Sequence, residues 1–221
     1  MFFKLADNTK GQSLASRFRK QRMRKFGELL RDTTKEVRIL DVGGTPEFWL
    51  RHRDELPVSA SLTLLNLDFV GQPEQPWMQC VKGDVRRMES FDSNEFDMCF
   101  SNSVIEHLGT LADQSLAAKE IRRVAKGYFV QTPNVWFPIE PHFLIPGWQF
   151  APIAFRAYLL QRRDIGWMKC QKNPLLARAE VESVRLLSAS ELARLFPDGQ
   201  IDRERIGPFT KSVIAWRPIT G

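Results

Sequence analysis

The sequence predicts an α/β protein, a mostly parallel sheet covered on both faces by helices. Two observations lead there. Short apolar runs of strand length, at residues 37–42, 62–67, 96–101 and 128–130, alternate with segments whose apolar positions recur at helical spacing, the order that builds parallel sheets. The 221 residues also suffice for one such domain with a modest insertion.

Each element has its own signal. Residues 1–35 read as a basic N-terminal helical cap: Arg17, Arg19, Lys20, Arg22, Arg24 and Lys25 are interleaved with Phe18, Met23 and Phe26 at spacings that suit one side of a helix. The main domain is expected over 36–221. Its first strand ends at Gly43-Gly44, and Thr45-Pro46 follows, with proline well placed in the first turn of a helix through Phe48, Trp49 and Leu50. The second strand is ended by Asp68 and the polar, proline-bearing residues 71–76. A short strand around Cys80 and Val81 leads to Gly83-Asp84, and residues 96–101 form the next. Leu111, Leu116, Ala117, Ile121 and Val124 then recur at helical spacing, and Gly127 is expected to stop that helix before a strand begins at Tyr128. Alternation lapses over 132–167, which holds five prolines together with Trp136, Trp148 and Trp167. Residues from about 133 to 180 are expected to form an inserted cap over the site. The tail returns to pattern, with a helix over 190–196 and strands near 201–206 and 212–216.

Composition narrows the functional classes. A hydrophobic share of 43% with 26% charged residues is ordinary for a folded globular protein and excludes wholesale disorder. No apolar run reaches the roughly 18 residues that cross a bilayer, and the first residues lack a signal-peptide core. Cys80, Cys99 and Cys170 fit neither a disulfide framework nor a Cys-x-x-Cys metal site, so a cytoplasmic address is expected. The net charge of +6 is compatible with nucleic acid, an anionic membrane surface or an acidic substrate. Without a run of aromatics or a known nucleic-acid module, a solvated amphipathic helix is favoured over a phosphate-binding face.

The residues at the strand ends carry the chemistry. In open α/β sheets a ligand sits beyond the carboxyl ends of the strands. There this chain places Asp41-Val42-Gly43-Gly44, Asn66-Leu67-Asp68, Gly83-Asp84-Val85 and Ser101-Asn102. Glycines let the backbone approach a ligand where a Cβ would clash. A carboxylate or amide at the second strand end can bind both hydroxyls of a ribose. Asp84 could accept a hydrogen bond from an adenine amino group while the Val85 N–H donates to a ring nitrogen. Singly these are turn formers; their order and spacing set them apart.

The segments VRILDVGG, LTLLNLD, VKGDVRRMESFDSNEFDMCFSNSVIEHL and KEIRRVAKGYFVQTPN resemble successive motifs of the class I S-adenosylmethionine-dependent methyltransferases. The likeness is greatest to the bacterial type 11 group, with its V-I-E-H-L helix and T-P-N strand end. It runs from about Val37 to Asn134 and returns in the last strand, 209–216. The resemblance implies a Rossmann-like three-layer α/β/α sandwich whose seven-stranded sheet has its last strand antiparallel, and S-adenosylmethionine as methyl donor. By position it implies Asp41, Gly43 and Gly44 along the methionine and ribose, Asp84 and Val85 about the adenine, and Ser101 near the sulfonium. Asn66 stands where the family usually has its ribose-binding acid, with Asp68 two residues on. Thr45-Pro46-Glu47 replaces the third glycine of the first motif, so that loop must turn differently.

Methyl transfer from a sulfonium is an in-line displacement, so positioning the acceptor supplies much of the catalysis. A base is needed where the acceptor must lose a proton. His107 is the leading candidate, its ordinary pKa suiting proton removal near neutrality; Glu106 and His107 could equally brace their helix. Pro138 and Pro141 stiffen a segment that would aim Glu140 or His142 into the site, and a rigid structural turn explains them equally well. Trp136, Phe137, Phe143 and Trp148 are either an aromatic wall for an apolar acceptor or core beneath the cap. The expected reaction is O-methylation of a small or lipid-like hydrophobic molecule, as the similar helix of quinone O-methyltransferases also suggests. One alternative is an RNA ribose 2′-O-methyltransferase. Small-RNA enzymes of that kind hold a divalent metal with an E-x-x-E-H helix and a later histidine, and Glu106, His107 and His142 resemble that set except that Ser103 replaces the first glutamate. No metal is assigned on this ground. A non-enzymatic alternative is an adenosyl-binding or membrane-surface module using the basic helix and apolar cap.

Overall fold

A computed structural model describes residues 14–31, 36–68, 71, 73 and 75–219. The first part of the N-terminal cap and residues 32–35 lie outside them. Seven strands form one sheet in the order β3-β2-β1-β4-β5-β7-β6: β1 (Val37–Val42), β2 (Ala60–Asn66), β3 (Met78–Lys82), β4 (Phe96–Asn102), β5 (Ala125–Pro133), β6 (Gln200–Ile206) and β7 (Phe209–Arg217). β7 pairs antiparallel with both β5 and β6, while the pairs among β1 to β5 are parallel. This is the Rossmann-like sandwich the sequence implied. β2, β4 and β5 are buried along nearly their whole length, as central parallel strands covered on both faces must be. β6 is an edge, half exposed and carrying a bulge between Glu204 and Arg205.

The helices divide between the two faces. α1 (Leu14–Leu30) sinks Met23, Phe26 and Leu30 into one core with Trp49, Phe100 and Phe129. The Phe26 ring meets Phe100 at 4.7 Å between centroids. α2 (Pro46–Arg51) starts at Thr45, whose hydroxyl accepts the Phe48 N–H, with Pro46 in the first turn. α3 (Leu111–Val124) and α6 (Ala189–Leu195) cover the opposite face through Ile121, Val124 and Leu192. Between β5 and α6 lie α4 (Ile153–Leu160) and α5 (Pro174–Glu182), with a separate small core of Phe143, Trp148, Leu160, Ile165 and Val181.

Two local expectations change. α3 ends at Val124 and the chain passes directly into β5 at Ala125, so Gly127 is a strand residue. It is small because a Cβ there would lie 2.8 Å from the Arg217 carbonyl oxygen on neighbouring β7. The expected helix at Glu106 and His107 is a single 3-10 turn, Ile105–Leu108. Gly109, at φ +71°, breaks it, and Thr110 caps a new helix by accepting the Asp113 N–H.

Candidate active site

A cleft of about 390 Å³ opens beyond the carboxyl ends of β1 to β4, where the connections from β1 and β4 leave for opposite sides. Its wall takes Gly43 from the β1 turn, Asn66, Leu67 and Asp68 from the end of β2, Asp84, Val85 and Arg86 after β3, and His107 after β4.

The β1 turn is shaped by its glycines. Gly43 sits at φ +79°, and a Cβ on it would lie 2.6 Å from Val104 Cγ2, so only glycine lets the turn pass this close. A Cβ on Gly44 would lie 1.7 Å from Asp41 Oδ2. The Asp41 carboxyl is thus packed against the turn, fully buried, accepting the Trp49 indole N–H at 2.5 Å. Asn66 Nδ2 donates to the Gly44 carbonyl at 3.0 Å, tying β2 to this turn. Gly43, Asn66, Asp68, Asp84 and Val85 line the cleft; Asp41, Gly44 and Ser101 are not part of its lining, Asp41 and Ser101 being buried.

Burial pushes the Asp41 pKa up to about 8, against the lowering by the Trp49 hydrogen bond. Between an ordinary carboxyl value and about pH 8 the folded protein therefore holds a proton that the unfolded chain has released. The contribution to stability is complete at acid pH and falls as pH rises through that window, by about 1.4 kcal/mol per unit. Asp41→Asn keeps the acceptor without the charge. Relative to wild type, its stability in urea should improve progressively from pH 5 to pH 8; parallel pH profiles would show that Asp41 is ionised in the fold.

Asp84 is held from two residues away. Arg86 Nε lies 3.0 Å from both carboxylate oxygens, a second guanidinium nitrogen lies 2.6 Å from Oδ2, and the Arg86 N–H donates to Oδ1 at 2.9 Å. This hydrogen bonding holds the Asp84 carboxyl below its usual range. Arg86 also reaches Asp113 at 3.1 Å, linking the β3 end to α3. The sequence reading did not single out Arg86; its only signal was a cation two residues past Asp84.

Beyond β4, Glu106 and His107 separate. His107 is exposed to the cleft, whereas Glu106 is fully buried. Burial raises the Glu106 pKa to about 7, and Thr132 donates to its Oε2 at 3.0 Å. The His107 pKa is lowered, first by the protein around the ring and then by the neighbouring His142. The two rings meet edge to face, 4.8 Å between centroids. His142 Nδ1 lies 2.6 Å from Glu140 Oε1, while Glu140 Oε2 accepts the N–H groups of His142 and Phe143. Burial disfavours the His142 cation, but this hydrogen bond and the charges of Glu140 and Glu106 outweigh it and raise its pKa. Of the four aromatics in the segment, Phe143 and Trp148 are buried and stacked at 4.8 Å, whereas Trp136 is exposed and packs on Phe150 at 5.5 Å.

Residues 57–130, about a third of the chain, match the family described as "Methyltransferase domain". Many solved structures share the fold. One is described as a methyltransferase of an antibiotic biosynthesis pathway from Anabaena variabilis (TM-score 0.53, 12% identity, covering 83% of this chain and 64% of that one). Another is the 1,6-didemethyltoxoflavin-N1-methyltransferase of Burkholderia thailandensis with bound 1,6-didemethyltoxoflavin and S-adenosylhomocysteine (0.52, 12%, 90% and 79%). A third is phosphoethanolamine N-methyltransferase 2 of Haemonchus contortus with S-adenosyl-L-methionine (0.54, 13%, 83% and 38%). The chain therefore spans just under two thirds of the Anabaena protein and well under half of the Haemonchus one. No curated protein matches the sequence. Over residues 57–130 the chain is thus similar to the methyltransferase-domain family, and its fold is the one these solved structures share.

Proposed function

We propose that the chain transfers the methyl group of S-adenosylmethionine to a hydroxyl of a small or lipid-like apolar acceptor. One observation carries this reading: His107 opens onto the same cleft as Gly43, Asn66, Asp68, Asp84 and Val85. The adenine would lie between Asp84 and Val85, the ribose hydroxyls against Asn66 and Asp68, and the methionine along the Gly43 turn. Asp41 and Gly44 shape that turn.

The donor then presents its methyl toward His107. The acceptor oxygen attacks the methyl carbon in line, the carbon–sulfur bond breaks to leave S-adenosylhomocysteine, and the hydroxyl proton passes to the imidazole. The lowered pKa of His107 keeps its ring neutral near pH 7, with a lone pair free to take that proton. Exposed Trp136 and Phe150 supply an apolar surface nearby in sequence to the His142 segment. The RNA reading loses support from the N-terminal helix, where Arg22 and Lys25 are engaged by Glu204 and Asp202. For membranes, no helix among the described residues is long and apolar enough to cross one.

The test is methyl transfer to a panel of phenols and quinols by wild type and His107→Asn. The variant should lose about 10²–10⁴-fold in kcat, as removal of a general base does, while binding S-adenosylmethionine within about threefold of wild type. Full activity in the variant, or transfer only to amines, would overturn the base and the hydroxyl acceptor.

A further inference from the structure

We infer that Glu106, His107 and His142 form a binding site for one divalent transition-metal ion of the Zn²⁺ type. Each offers one ligand atom, and these atoms lie within 4.8 Å of one another. Atoms that share a tetrahedral ion at about 2.0–2.1 Å are about 3.4 Å apart, so side-chain rotations that bring the ligand atoms at most about 1.4 Å closer close the shell.

Two further features point to a cation. Glu106 is fully buried, and its Oε1 has no hydrogen-bond partner, although Oε2 is satisfied by Thr132. A buried carboxylate oxygen without a donor is costly and rare, and an ion beside it removes that cost. His142, in turn, is oriented as a metal ligand is: Nδ1 is bound to the Glu140 carboxylate at 2.6 Å. Glu140 is itself pinned by the backbone N–H groups of His142 and Phe143 at 2.8 and 2.6 Å. This fixes the ring and leaves Nε2 as the ligand atom, the arrangement of a carboxylate–histidine–metal chain.

The donor set selects the ion. Two imidazoles and one carboxylate suit zinc and its neighbours with a coordination position left open, whereas magnesium prefers oxygen ligands and keeps its waters. Ser103 adds nothing here, since its hydroxyl donates to Gln131 Oε1 at 3.0 Å. An acceptor hydroxyl bound at the open position would be acidified by the ion and would lose its proton to water, because the His107 lone pair would then be held by the metal. The site itself stands independently of the acceptor's identity.

Chelator-stripped protein titrated calorimetrically with Zn²⁺, and with Co²⁺ followed by visible absorption, tests the site. One ion per chain is expected, with no comparable heat from Mg²⁺. His142→Ala and Glu106→Gln should each weaken binding at least about 100-fold, and Glu140→Gln, which removes only the orienting carboxylate, about 10–100-fold. Circular dichroism of each variant identifies any that fail to fold, and Glu140→Gln leaves all three ligands in place. Absence of stoichiometric Zn²⁺ binding by folded wild type overturns the site, as does binding unchanged in the folded variants. S-adenosylmethionine binding, measured separately, keeps this outcome distinct from failure of the methyltransferase reading.

Discussion

Arg22→Ala is expected to destabilise the fold by about 3–5 kcal/mol, the loss that follows when one partner of a buried ion pair is removed. Arg22 is 6% exposed and Glu204 10%. The guanidinium makes two bonds to Glu204, at 3.0 and 2.6 Å, and a third to Asn102 Oδ1. Glu204 also accepts from Ser212. One arginine of the N-terminal helix thereby joins α1 to the end of β4 and to the edge strand β6. Removing it strands a carboxylate inside the protein. Lys20, exposed on the same helix, is the control: Lys20→Ala should change stability by less than about 0.5 kcal/mol. Urea midpoints measure both, and a loss below 1 kcal/mol for Arg22→Ala would mean that water reaches Glu204.

The second large effect concerns the donor. Asp84→Ala should weaken S-adenosylmethionine binding about 10–100-fold, the value of one hydrogen bond to a charged acceptor, with little change in stability. Arg86 complicates the simple reading of Asp84 as an acceptor, because it occupies both carboxylate oxygens. An adenine amino group would have to share an oxygen with the guanidinium. Arg86 nevertheless keeps its Asp113 partner in the variant, so the cleft wall should hold its shape. The measured loss then reports the Asp84 contact.

Much of this molecule was legible in the sequence. Apolar strand runs ending in glycine or acidic turns located β1 to β3, and Thr45-Pro46 marked the start of α2 because both residues act locally. Gly127 was misread because helix-stopping and close strand packing both call for glycine; only the Arg217 carbonyl across the sheet distinguishes them. Cleft and wall were equally hidden from spacing. Asp41 and Asn66 both stand at strand ends, yet Asn66 lines the cleft while Asp41 is buried and held by the indole of Trp49. The basic helix looked like a solvated face, and Arg17, Lys20 and Arg24 are exposed. Arg22 differs through Glu204, 182 positions away. Likewise His107 and His142 stood out as separate histidines. Their contact at 4.8 Å depends on how the chain between β5 and α4 folds back to the 3-10 turn.

The central claim is that the cleft at the ends of β1 to β4 holds S-adenosylmethionine, and calorimetric titration of wild type beside Asp84→Ala tests it most directly. A single site of micromolar affinity in wild type, weakened about 10–100-fold in the variant, is the predicted result. A folded wild-type protein that takes up no S-adenosylmethionine, or a variant that binds it equally well, would contradict the assignment of this cleft.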